Sequence, residues 1–241
     1  MGSALGWGAL AASSLVIGAA LAFARDWSKP QVGAVLAFGA GALISSVSFE
    51  LAQEGIAVGG AVATGAGLGL GALTYYLLDG LIARRFGSGR GRQGRSESDS
   101  GTALALGAFL DGIPEQLVLG IGIAAGSGVS PALLIAIFVS NLPEALGSSE
   151  DMIKARRSRE TVLRLWLIVA AIGTAASVAG YALADAVHGR PQAAIDGFAA
   201  GALLVMLIDS MIPEARANLG RAAGLVTVLG FAVAAGLSSL S

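Results

Sequence analysis

Ser3-Ala-Leu-Gly-Trp-Gly-Ala-Leu-Ala-Ala-Ser-Ser-Leu-Val-Ile-Gly-Ala-Ala-Leu-Ala-Phe-Ala24 carries no charged residue. It has the length, roughly 20 residues, that an α-helix needs to cross the hydrocarbon core of a bilayer. Further apolar segments follow near 31–56, 57–82, 102–126, 130–152, 162–186, 191–213 and 220–240. Short breaks, at Gly55 and at Gly126-Ser-Gly-Val-Ser-Pro131, separate the second segment from the third and the fourth from the fifth. An outer-membrane barrel would show alternating segments of about 10 residues, and none occur. In lipid a helix satisfies its own backbone groups. The expected fold is therefore all-α: a single transmembrane domain, 1–241, with eight transmembrane helices. Ala22-Phe-Ala24 resembles a signal-peptide cleavage site, but no Lys or Arg precedes the apolar run, so the first helix is expected to be retained.

Composition agrees. Charged residues make up 13% of the 241, against roughly 25% in soluble domains. Hydrophobic residues make up 55%, and the mean hydropathy is +0.76. A soluble enzyme, a disordered chain and, at net charge −1, a basic nucleic-acid binder are all excluded. With no Cys and one His, His188, thiolate chemistry and multi-His metal clusters are excluded too.

Basic residues orient the helices, because cytoplasmic loops collect Lys and Arg. With the N-terminus outside, all 15 basic residues except Arg190 fall on the cytoplasmic side. Both termini are then outside, and Arg84–Gly101 reads as a flexible basic cytoplasmic loop whose charge marks topology rather than nucleic-acid binding.

Two stretches are repeated. Phe38-Gly-Ala-Gly-Ala-Leu43 returns as Phe198-Ala-Ala-Gly-Ala-Leu203, at the same separation that carries Glu54 onto Glu214. Asp111-Gly-Ile-Pro-Glu115 returns as Ser140-Asn-Leu-Pro-Glu144. In the topology above, each pair runs in opposite directions, the pattern of inverted repeats, and transporters place their sites at the interface of such repeats.

The carboxylates carry the chemistry. An ionised Asp at the bilayer centre costs roughly 2.5–3.5 kcal/mol on insertion scales. Asp111, Glu115 and Glu144 fall mid-helix, and no Lys or Arg lies at their depth. A buried ion pair is thus ruled out, leaving protonation, water or a bound cation. Asp111 and Glu115 share one helix face, as do Ser140 and Glu144, with Asn141 a neighbour of Glu144. Pro114 and Pro143 free the carbonyls of Leu110 and Val139. Carboxylates, an amide, a hydroxyl and loose carbonyls turned to one point make an oxygen-ligand cation site.

These residues resemble the ZIP (Zrt/Irt-like) family of divalent metal transporters over nearly the whole chain. The family's helix 4 typically reads His-Asn-x-Pro-Glu-Gly, where this chain has Asp111-Gly112-Ile113-Pro114-Glu115-Gln116. Its helix 5 carries a polar pair before x-Pro, matched by Ser140-Asn141-Leu142-Pro143-Glu144, and Ile212-Pro-Glu214 resembles its helix 7. The resemblance implies a homodimer in the plasma or inner membrane, a 3+2+3 helix arrangement, metal held between helices 4 and 5, and elevator-type alternating access. It also implies a metal-ligand set of Asp111, Glu115, Ser140, Asn141 and Glu144. The chain departs from the pattern where Asp111 and Gly112 replace His and Asn. Helix 6 has no acid over Val169–Tyr181, so the second metal position found in binuclear members is expected to be weakened or lost. Without imidazole, the site is harder and shifts from strict zinc preference toward manganese or iron.

Glu50, Glu54, Asp209 and Glu214, near helix ends, are candidate pathway residues or simply water-facing acids. The expected function is transport of a divalent cation (zinc, manganese or iron) toward the cytoplasm, with the metal as substrate and no cofactor. The alternatives are a proton-coupled carrier of another solute, using the same carboxylates as relays, and a metal-binding membrane protein that does not transport.

Overall fold

Ala- and Leu-rich runs favour helix, and glycines that would weaken a helix in water instead let membrane helices approach closely. The structure is a computed structural model, and it describes residues 1–25, 27–85, 112–113, 115–124, 131–184 and 187–239. Asp111, Pro114, the loop from residue 86 to 101, and the break 125–130 lie outside the described residues, as do the side chains of 82–85.

Every described element is helical. The helices are α1 (Gly2–Ala24), α2 (Lys29–Gly59), α3 (Ala61–Arg85), α4 (Glu115–Ala124), α5 (Pro131–Lys154), α6 (Arg159–Ala184), α7 (Arg190–Leu219) and α8 (Ala222–Ser238). Five of them, α1, α2, α3, α6 and α7, are long and apolar enough to cross a membrane; α4, over its described residues, and α8 are shorter apolar helices. Large apolar side chains face outward, with Val62 88% and Leu225 77% exposed. That surface would be unfavourable in water and is ordinary in lipid. The chain has the make-up of a helical membrane protein.

Two groups of helices pack side by side. In one, α3 lies on α7, and α8 lies on α2. In the other, α1 lies on α5 and α6, and α4 meets α6 where a Cβ on Gly120 would overlap the Ser177 carbonyl. α2 against α5 joins the groups, and Leu36, Leu43, Ile137, Leu203 and Met206 are buried in the core between α2, α5 and α7. Trp166, fully buried, ties α6 to α5 by donating from Nε1 to Ser149 Oγ at 2.9 Å.

The repeated sequence has a repeated backbone. α2 widens into a π-helical turn at Val47–Gln53, and α7 does so at Leu207–Met211. Val47 and Leu207 are as far apart as Phe38 and Phe198. The turns after the two helices correspond as well: Gly60 (φ 88) and Gly220 (φ 68) both adopt the left-handed region that favours glycine. α2 therefore runs through Gly55, where the composition places a break, and ends at Gly60, because only the latter supplies the turn conformation. The glycine contacts match too. A Cβ on Gly41 would overlap the Thr227 carbonyl of α8, and a Cβ on its counterpart Gly201 would overlap the Leu68 carbonyl of α3. In return, the Phe38 carbonyl faces Gly230, and the Phe198 carbonyl faces Gly71.

Candidate functional site

The Pro-Glu motifs bring polar groups into the interior. Glu115 is 1% exposed, Ser140 1% and Asn141 2%. Glu144 is half-buried. Burial of this kind is expensive in a low-dielectric medium unless the groups are compensated. The Oε2 atoms of Glu115 and Glu144 are shut away from solvent and outside hydrogen bonds, while each residue takes part in a further interaction.

The two motifs adjoin one cavity. Gly112, Ile113 and Gln116 on the α4 side, Asn141 on α5, Ala12 and Leu15 of α1, and Val169 and Gly173 of α6 line a space of about 10 Å³; among the described residues, neither Glu115 nor Glu144 lines it. That is the room that one water needs. Gln116, 2% exposed, donates from Nε2 to the Gly8 carbonyl at 3.4 Å, and its Oε1 is buried without a hydrogen bond. Gln116 was not among the residues expected from sequence. Its position four residues after Gly112, on the same helix face, was the available signal.

The remaining expected ligands are distributed less simply. Ser140 donates its hydroxyl to the Ile137 carbonyl at 3.0 Å, and its Cα packs on Gly39 of α2. Pro143 sits inside α5 as expected. The Val139 carbonyl that it frees, however, lies 3.2 Å from where a Cβ on Gly39 would be. It is turned to α2 rather than toward α4, because α5 uses that side for packing. Among the described residues, no group of three or more His, Asp or Glu side chains is arranged to hold a metal ion; Asp111, the third expected carboxylate, is outside them.

The pathway candidates separate into two places. Glu50 accepts a hydrogen bond from the Ser238 hydroxyl of α8, so it is committed to the α2–α8 contact. Glu54 is exposed at the end of α2, and Asp209 is exposed on α7. Glu214, also exposed, brings its Oε1 to 4.0 Å from a would-be Cβ on Gly147 of α5, one turn beyond Glu144. Sequence reading also passed over Asp196, a carboxylate of α7 that is only 4% exposed. Its signal was the same as that of Asp111: an acid inside an apolar segment.

Compared with known proteins, the chain matches no family model and no curated relative.

Proposed function

We propose that the chain is a ZIP-like carrier of divalent metal cations that works through a carboxylate-lined site between α4 and α5. The carrying observation is that Glu115 and Asn141, 1% and 2% exposed, are buried polar residues of two Pro-Glu motifs, and Gly112, Ile113 and Asn141 of those motifs line a common cavity. A hard divalent cation would compensate such buried oxygens. Asp111, Glu115 and Glu144 are the charged ligands of this reading, and Asn141 and Ser140 the neutral ones.

The matched turns and glycine contacts of α2–α3 and α7–α8 support an inverted-repeat architecture of eight spans, in the 3+2+3 order, with both termini outside. In such architectures the site lies between repeats. Glu214, close to α5 beyond Glu144, suits an exit toward the cytoplasmic side. A homodimer in the plasma or inner membrane completes the reading.

The test is metal flux into liposomes holding the purified protein, over a panel of zinc, manganese and iron. Wild type carries at least one of these ions, and Glu144→Gln, which keeps size and removes only charge, does not. Equal flux through both proteins would overturn the reading, and so would no flux through either.

A further inference from the structure

We propose that Glu54 and Asp196 form a second divalent-cation site, where the end of α2 meets the first turns of α3 and α7, and that the cation there keeps part of its water shell. This proposal does not rest on the α4–α5 reading.

Asp196 is 4% exposed, and among the described residues no hydrogen bond or ion pair satisfies it. The charged group that acts on it is Glu54; Glu50 in turn acts on Glu54. No basic side chain takes part. Arg190, on the same helix, is exposed, and six residues of helix turn it roughly 120° away from Asp196. An acid within an apolar helix, with an acid rather than a base for its neighbour, marks a place that is completed by a positive charge from outside the chain.

The backbone holds the pair together. Gly55, next to Glu54, packs on the Ala193 carbonyl, 3.4 Å from a would-be Cβ, and Ala193 is one turn before Asp196. A Cβ on Gly197, next to Asp196, would overlap the Thr64 carbonyl of α3. The Thr64 hydroxyl, 3% exposed as a residue, lies 3.1 Å from a would-be Cβ on Gly55 and donates to the Gly60 carbonyl at 3.1 Å, so its oxygen is still able to accept. Three helix ends thus meet with two carboxylates and a hydroxyl oxygen, one acid enclosed and the other open to solvent. Two carboxylates are too few to strip a cation, and Mg²⁺-like ions are commonly held by one or two carboxylates with several waters retained. Glu50, engaged by Ser238, adds negative potential without being a ligand.

The test counts bound Mn²⁺ by electron paramagnetic resonance, on the full chain in lipid nanodiscs at neutral pH. Wild type binds two ions per chain when both sites hold. Asp196→Asn and Glu54→Gln each bind one ion fewer than wild type, or bind that ion at least tenfold more weakly. Glu144→Gln also binds one, having lost the other site. If either Asp196→Asn or Glu54→Gln binds as wild type does, the second site does not exist and the pair holds only a proton. Glu54 is exposed, so its variant decides the matter even if Asp196→Asn fails to fold. If Glu144→Gln binds as many ions as wild type while the other two variants bind one fewer, the α4–α5 reading fails and this one stands.

Discussion

The α2–α3 and α7–α8 units share a backbone and differ in their acids. Each has a π-helical turn, a left-handed glycine after it, and a Phe carbonyl seated on a glycine of its partner helix. Yet Asp196 of α7 corresponds to Leu36 of α2, and Asp209 corresponds to Phe49. Glu54 and Glu214 do correspond, but Glu54 meets Asp196 whereas Glu214 reaches α5. Small residues dictate how closely helices pack, and that requirement is the same in both units. Acids are not demanded by packing, so where the two units differ in them they report chemistry particular to one unit.

The largest expected effect tests the shared backbone. Gly41→Ala and Gly201→Ala each force a Cβ onto a carbonyl of the facing helix. Overpacking of this kind costs about 1–3 kcal/mol, so both variants should melt well below wild type in detergent. If only one is destabilised, the two contacts are not equivalent. Gly69→Ala is the control: a Cβ there meets nothing within 4 Å, and stability should change by less than about 0.5 kcal/mol.

The next effect concerns protons. A divalent cation favours ionised carboxylates, and protons compete for the same oxygens. Metal affinity should therefore fall as pH falls, and binding should release protons, shared among the coupled acids rather than drawn from one. Titration calorimetry in buffers of different ionisation enthalpy counts them; a count of zero across pH 6–8 would mean that the acids do not act as one site. The smallest effect separates the corresponding glutamates. Glu214→Gln, at the α5 side, should slow uptake by up to about tenfold through loss of local attraction without changing the number of ions bound, whereas Glu54→Gln changes that number.

Several of these features can be read in the sequence, and others cannot. Length and hydropathy announce the apolar helices, and the Phe38 and Phe198 runs announce the duplicated backbone, because close packing restricts those positions to small residues. The Pro-Glu motifs announce the buried glutamates. Direction is what one-dimensional reading lacks. Pro143 says that the Val139 carbonyl is freed, not that it turns to Gly39. Four alternating glycines in α3 say that something packs closely, not that Gly67 and Gly71 meet α7 while Gly65 and Gly69 face outward. Asp196 was legible by the rule that singled out Asp111, but its neighbour Glu54 lies on another helix, and only the fold joins them.

The central claim is that a divalent cation rests on Glu115 and Glu144. Anomalous scattering from crystals soaked in Mn²⁺ or Zn²⁺ tests it most directly. The account predicts a peak between α4 and α5 within ligand distance, roughly 2.0–2.6 Å, of a carboxylate oxygen from each residue, absent from Glu144→Gln crystals grown alike. Clear peaks elsewhere in the chain with none between these helices, or an unchanged peak in Glu144→Gln, would contradict it.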